Sequence, residues 1–131
     1  MISKSSAAAA FAVAIGLFAS PAFAGANDYA FEPVTAEIKK GDGVTVALRL
    51  VHKPTGKTVP GAVIFQTRID MAPDGMADMI SPVAPLPAGE PGVYAFKTNL
   101  PDAGRYLFSL AAKVPGEAET VTGKVILKAV K

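Results

Sequence analysis

The part of this 131-residue sequence that follows residue 24 predicts an all-β sandwich or barrel. Proline and glycine interrupt the chain at short intervals, and the segments between them have the length of strands. Within these segments apolar and polar residues alternate, or apolar residues run together, and no long amphipathic helical pattern follows residue 25.

The first predicted strands lead up to a strongly alternating one. A short strand is expected at residues 29–31 or 35–39, and a turn at residues 41–43, which read Gly-Asp-Gly. The next strand alternates apolar with small or polar residues, which predicts one buried face. Its predicted inward residues are Val44, Val46, Leu48 and Leu50. Residues 53–57 have the composition of a loop.

Further strands are predicted in the middle of the chain. Residues 62–71 alternate so that one parity points inward, namely Val63, Phe65, Ile69 and Met71. After a loop, residues 80–83 are expected to form a short edge strand that the following prolines stop. Residues 92–98 predict another strand, with Tyr94 and Phe96 pointing inward.

The most specific fold signal is Tyr106, which stands at the start of a predicted strand behind Asp102-Ala103-Gly104. This spacing resembles the tyrosine corner of immunoglobulin-like sandwiches, in which the hydroxyl bonds back to nearby backbone. The alternative is an ordinary tyrosine in an ordinary strand. Phe108 stands where antibody domains carry a disulfide cysteine, and a last strand is expected at residues 120–129. The chain from residue 25 to 131 is therefore predicted to be a seven-stranded antiparallel immunoglobulin-like β-sandwich.

Residues 1–24 have the pattern of a helical secretory signal peptide. A lone basic Lys4 precedes an apolar run, and Ala22-Phe23-Ala24 gives a small-x-small cleavage site. The alternative is a retained membrane anchor, but the run is shorter than the roughly 20 apolar residues that a spanning helix needs. We therefore expect a periplasmic or secreted protein with no stable membrane insertion, whose mature chain begins near Gly25 or Ala26.

Composition narrows the possible functions. Without Lys4, twelve basic residues are interspersed with eleven acidic ones, which provides no electrostatic surface for nucleic acid. About 107 residues form one domain, and we expect a monomer. The chain has no cysteine, so its stability must come from packing, and a soft-metal site would have to use methionine or histidine.

The strand pattern is combined with three short motifs, at residues 68–76, 92–94 and 103–106. In this combination the sequence resembles the YtkA-like family, which overlaps the FixH family of bacterial envelope proteins, over roughly residues 30–128. The resemblance implies a small sandwich on the outer side of the cytoplasmic membrane that accompanies heavy-metal efflux and copper delivery. It also implies metal-efflux or oxidase-assembly membrane proteins as partners. FixH itself carries a membrane anchor, whereas this sequence has a cleavable signal.

Three of the four methionines lie within nine residues, around a Pro-Asp-Gly turn. Thioether sulfur is a soft ligand that selects Cu(I), so Met71, Met76 and Met79 are the candidate metal ligands of a weak, exchangeable site. Two alternatives remain open at this point. The methionines can fill the open end of the sandwich, which suits Met71 best, or they can form a docking surface.

Other candidate ligands fit less well. His52 is the only histidine, and antiparallel strand geometry places it about 30 Å from the methionines, at roughly 3.3 Å per residue, as a solvated loop residue. Asp70, Asp74 and Asp78 suggest calcium, but their spacing does not match an EF-hand, and Asp74 is explained by the turn. The three aspartates are expected to keep the loop solvated and to attract cations.

No catalytic constellation is visible in the sequence. Ser81 and Ser109 lack a nucleophile elbow, and there is no glycine-rich phosphate loop. We therefore expect a non-enzyme that handles copper or another soft metal, as a carrier or as an accessory of efflux or oxidase systems. The alternative is a metal-free interaction module that docks on a membrane efflux or oxidase complex.

Overall fold

The computed structural model of the protein describes residues 26–87 and 89–131. The expected signal peptide at residues 1–24 lies outside these residues. The described chain forms ten strands and two short 3-10 helices. The strands are β1 (Tyr29–Pro33), β2 (Glu37–Lys39), β3 (Gly41–His52), β4 (Lys57–Thr58), β5 (Val63–Met71), β6 (Met76–Ser81), β7 (Val83–Leu86), β8 (Val93–Leu100), β9 (Gly104–Lys113) and β10 (Val121–Val130); the 3-10 helices are Ala26–Asp28 and Ala72–Asp74.

The strands form two sheets with the immunoglobulin-like order. One sheet has the order β1-β3-β8-β7, with β4 added beside β3, and the other has the order β2-β10-β9-β5-β6. These orders match the A-B-E-D and G-F-C sheets of an immunoglobulin-like domain, with β2, β4 and β6 as short additions. The predicted immunoglobulin-like β-sandwich is confirmed. The prediction of only antiparallel pairing is wrong in one place, because β2 pairs with β10 in parallel.

The alternating strands build the core between the sheets. The inward parity of β3 is confirmed, since Val46, Leu48 and Leu50 are buried. In the centre of the core, the rings of Phe96 and Phe108 meet edge to face with their centroids 5.1 Å apart, a favourable aromatic geometry. The predicted turn at residues 41–43 is wrong, because these residues belong to β3 and form an irregularity in its pairing with β8.

The tyrosine corner is confirmed. The buried Tyr106 donates its hydroxyl proton to the carbonyl oxygen of Asp102 at 2.8 Å and accepts the Asp102 amide at 3.1 Å. Both bonds return to backbone four residues upstream, so they hold the connection between β8 and β9 against the start of β9.

Strand β5 departs from its predicted parity in its first half. Val63 and Phe65 are 62% and 50% exposed, although both were expected to point inward. The pairing of β5 with β9 slips by one residue between Ile64 and Gln66, which marks a β-bulge at Phe65. The bulge turns Ile64 toward the core instead, and the expected alternation holds again at Ile69 and Met71.

The segment between β5 and β8 is more ordered than a loop. The predicted edge strand at residues 80–83 is wrong, because two strands on different sheets take its place: β6 ends at Ser81 and β7 begins at Val83. The chain crosses between the sheets at Pro82. Pro85 is tolerated within β7 because that strand lies at the edge of its sheet.

Replacing Tyr106 with Phe is expected to lower the free energy of unfolding by about 1–3 kcal/mol, because two partly buried backbone groups lose their partner. Urea unfolding measures the change. Asp102→Ala is the matched control, since Tyr106 bonds only the backbone of Asp102, and it is expected to stay within about 0.5 kcal/mol. Equal losses in both variants would contradict the structural role of the corner.

Candidate functional site

The three candidate ligands lie on a segment that we call the methionine turn, residues 71–79. It comprises the last residue of β5, the 3-10 helix Ala72–Asp74, Gly75 and the first part of β6. Gly75 closes the turn with a φ of +80°, a conformation that glycine adopts without strain, and donates its amide to the Ala72 carbonyl at 2.9 Å. The expected loop is therefore a tight turn that leads directly into an edge strand.

The turn brings two of the three methionines to the same position of the sheet. Met71 and Met76 are Cα partners across β5 and β6. Met79 lies further along β6, where the pairing with β5 is irregular. The three-thioether site stays a prediction, supported for its first two members by their register.

The three methionines differ in their exposure to solvent. Met71 is 2% exposed and belongs to the core, whereas Met76 and Met79 are 41% and 48% exposed. The methyl carbon of Met71 lies so close to Gly104 that a Cβ there would stand 3.1 Å from it. Met71 therefore fills the end of the sandwich, and only Met76 and Met79 face solvent substantially.

Asp74 fastens the methionine turn to strand β9. Its Oδ2 accepts the backbone N–H of Arg105 at 2.9 Å, and its Oδ1 accepts Nε–H of the same residue at 3.0 Å. The Arg105 guanidinium also donates to the carbonyl of Pro73 at 2.7 Å. The Arg105 amide, followed by the Arg105 guanidinium, lowers the pKa of the Asp74 carboxyl below its ordinary value.

A second ion pair braces the other side of the turn. Asp70 is 4% exposed and accepts Nε–H of Arg68 at 2.7 Å and the Ala72 amide at 2.9 Å. Arg68 also donates from Nη2 to the carbonyl of Ala77 in β6 at 2.9 Å. Burial opposes ionisation of the Asp70 carboxyl, but the hydrogen bonds from Arg68 and Ala72 outweigh it, so the pKa of Asp70 is lowered.

The expectation that all three aspartates keep a loop solvated is therefore wrong for Asp70 and Asp74. Both carboxylates are held by arginines, which makes them structural braces rather than cation ligands. Asp78 is exposed on β6. Sequence reasoning did not assign roles to Arg68 and Arg105, although both lie within motifs that carry the family resemblance.

His52 lies at the opposite end of the sandwich from the methionine turn. It ends β3 near Gly92, whose carbonyl accepts the Leu50 amide, whereas Met71 lies against Gly104 beyond the other end of β8. The predicted separation is confirmed, since an eight-residue strand spans about 26 Å. The predicted loop position is wrong: His52 is half-buried, and its ring packs 5.2 Å from that of Tyr29.

Within residues 26–87 and 89–131, no three side chains of the His, Asp and Glu types are grouped so that they could hold a metal ion. Thioethers are not among those types, so this finding does not bear on the methionines. In the same described part, neither helix is long and apolar enough to cross a membrane.

The profile of the YtkA-like family matches residues 23–111, which is more than half of the chain. The chain belongs to the YtkA-like family. The matched part contains the methionine turn, the tyrosine corner and Arg105. Among curated proteins, none matches this YtkA-like chain significantly.

Several solved structures are similar to this YtkA-like domain at low identity. The ZirS C-terminal domain is 11% identical, with 98% of this chain and 87% of that chain covered and a TM-score of 0.45. Domains 4 and 5 of the S-layer protein SbsC are 15% identical, with 76% and 51% covered and a TM-score of 0.36, so this chain spans about half of that structure. The Escherichia coli adhesin FdeC is 16% identical, with 91% and 34% covered and a TM-score of 0.34. The fold assignment therefore depends on the strand order of the domain itself.

In this YtkA-like domain, Asp70→Asn is expected to lower the free energy of unfolding at neutral pH by about 2 kcal/mol, because hydrogen bonds to a charged group are lost. The folded-state pKa of Asp70 is depressed, so its contribution is present above the unfolded pKa of about 3.9 and is lost as the pH falls through the folded pKa. Urea unfolding from roughly pH 5 to 2 should therefore show a shallower pH dependence in the variant.

Asp78→Asn on the neighbouring strand is the matched control, because it removes an exposed carboxylate of the same turn. An Asp70→Asn variant with the pH dependence of the wild type would contradict the stabilising role of the ionised Asp70.

Proposed function

We propose that this protein is an exported envelope protein that handles Cu(I) or another soft metal through the methionine turn. It acts as a carrier, or as an accessory of an efflux or oxidase system. Export is supported by the signal-like pattern of residues 1–24 and by membership of the YtkA-like family. The observation that carries the metal proposal is the pairing of Met71 with Met76 across β5 and β6.

This pairing suits a soft cation because it places two thioether side chains on neighbouring strands, next to the irregularity between Asp70 and Met71. Methionine side chains are long and flexible enough to bring two sulfurs within about 2.3 Å of one ion, a usual metal–sulfur distance. Met79, on the same edge strand as Met76, can supply the third thioether.

The braces around the turn favour binding as well. Arg105 holds the turn at Asp74 and Pro73, and Arg68 holds β6 at Ala77, so less conformational entropy remains to be lost when a ligand binds. With Asp70 and Asp74 engaged by arginines, the donors left in the turn are the thioethers and the exposed carboxylate of Asp78, of which a soft cation selects the thioethers. A set of thioethers binds weakly and exchanges its ion, which suits cargo transfer.

The half-exposed Met76 and Met79 give an ion its route of entry, and the buried Met71 gives it an apolar inner side. An ion at this boundary stays accessible to an acceptor protein. Metal-efflux or oxidase-assembly proteins of the membrane are the proposed acceptors.

Replacing Met71, Met76 and Met79 together with Leu is expected to lower the Cu(I) affinity by at least about tenfold, which corresponds to about 1.4 kcal/mol. The fold should survive, because exchanges of Met for Leu of similar volume usually cost less than about 1.5 kcal/mol. Titration with Cu(I) under reducing conditions, in competition with a colorimetric chelator, measures the affinity.

Ile80→Leu is the matched control, since it changes an exposed apolar side chain of the same strand and removes no sulfur. Equal affinity in the wild type and the triple variant would refute the thioether site. An equal loss in the control would refute it too.

A second candidate function is metal-free docking on a membrane efflux or oxidase complex through β6. Met76, Met79 and Ile80 are exposed on this edge strand, which contains no proline, whereas the edge strand β7 contains Pro85. Exposed apolar edges of this kind accept an added strand from a partner.

The two candidates respond differently to substitution. Leu at the three methionines keeps an apolar edge and removes the thioethers, whereas Ile80→Lys adds a charge to the edge and keeps them. Docking predicts that only Ile80→Lys releases the protein from isolated native membranes in co-sedimentation. Copper handling predicts that only the methionine variant loses Cu(I).

A further inference from the structure

The outer face of the second sheet carries a recess that the methionine turn does not use. We call it the outer trough; it has a volume of about 1000 Å³ and runs across β5, β9 and β10. Its lining includes Phe65, Arg68, Ser109, Ala111, Thr122 and Lys124. Arg68, Ser109 and Lys124 are in register across the three strands, so they form one row on this face.

The aromatic wall of the outer trough exists because of the β-bulge in β5. Without the extra residue, strand parity would direct Phe65 into the core, where it was expected from the sequence. The bulge holds it half-exposed instead, and bulges commonly re-aim a side chain at functional positions. Lys113 extends over its ring, with Nζ 6.0 Å from the centroid.

The charge of the outer trough is one-sided. No carboxylate lines it, and the guanidinium of Arg68 is already paired with Asp70. Among the described residues, Lys113 and Lys124 have no acidic partner within salt-bridge distance, although Lys124 is near enough to Asp70 to help lower the pKa of that carboxyl. The surface therefore combines a net positive charge with an exposed aromatic ring and a floor of small residues.

This combination favours one kind of occupant. The positive charge is complementary to carboxylates and would repel a second copy of the same face. A recess also suits a narrow chain better than a flat bilayer. The three adjacent strands under the outer trough together span about 10 Å. A peptide segment of about three extended residues has this length.

We propose that the outer trough binds an extended segment of a partner protein in which acidic and apolar residues are adjacent. An acidic side chain pairs with Lys124, an apolar side chain packs on Phe65, and Ser109 and Thr122 offer hydrogen-bonding groups between them. This interaction is independent of the copper proposal, because it uses none of the methionines.

The test begins with a phage-displayed library of random peptides of about seven residues, selected on the purified protein. The selected peptides should be enriched in Asp and Glu next to apolar residues. One of them, synthesised with a fluorescent label, should bind in an anisotropy titration and weaken as the salt concentration rises.

Lys124→Glu and Phe65→Ser should each weaken binding of this peptide by about tenfold or more, because each removes one of the two anchors. Lys97→Glu is the matched control, since it makes the same charge change at an exposed position of β8 in the other sheet. Circular dichroism melting of all three variants verifies that they fold.

Four results would overturn the proposal. The first is a selection without acidic enrichment, and the second is a selected peptide that binds Lys124→Glu as well as the wild type. The third is co-sedimentation with phosphatidylglycerol vesicles that Lys124→Glu abolishes while no peptide is selected, which would assign the surface to a membrane. The fourth is a loss in Lys97→Glu as large as in Lys124→Glu, which would show that the binding is non-specific electrostatic attraction.

Discussion

The hydrogen bond from the Tyr106 hydroxyl to the Asp102 carbonyl fixes the connection on which the candidate site depends. Arg105 directly precedes this tyrosine, so the corner also fixes the backbone amide and the guanidinium that hold Asp74. Asp74 in turn holds the helical part of the methionine turn. The core, the corner and the turn therefore form one continuous chain of contacts that ends at Met71 and Met76.

Met71 connects the stability of the domain with its proposed chemistry. Its side chain fills the end of the core, and its methyl group lies close to Gly104 of β9, where a Cβ would stand 3.1 Å from it. The same residue is the register partner of Met76 at the surface. A buried methionine and an exposed methionine thus face each other across β5 and β6. A metal site would explain this pair by its two sulfur atoms, and a purely structural role would explain it by packing.

The features predicted from the sequence are those that depend on local periodicity. The alternation of Val46, Leu48 and Leu50 predicts the buried face of β3, and the spacing from Asp102 to Tyr106 predicts the corner. The features that could not be predicted from the sequence depend on the pairing of distant segments. The bulge that exposes Phe65 is defined only by the register against β9. Likewise, Asp74 meets Arg105 across a separation of 31 residues, which no local pattern reveals.

The same distinction between local patterns and distant contacts explains why the expected role of the aspartates in the turn was wrong for Asp70 and Asp74. Their spacing indicates a polar loop, and Asp74 does occupy the Pro-Asp-Gly turn as expected. Their partners come from β5 itself and from β9, however, and these partners convert two carboxylates into braces. With those two carboxylates held by arginines, the turn offers a metal three thioethers and one exposed carboxylate, that of Asp78, and Cu(I) prefers the thioethers.

X-ray absorption at the copper K-edge of the Cu(I)-loaded protein tests this claim about donor type most directly. If the methionine turn holds the ion, the first shell is made of sulfur alone, at about 2.3 Å. A shell of nitrogen or oxygen at about 2.0 Å would contradict it, because copper would then be held by histidine or carboxylate groups rather than by the methionine turn.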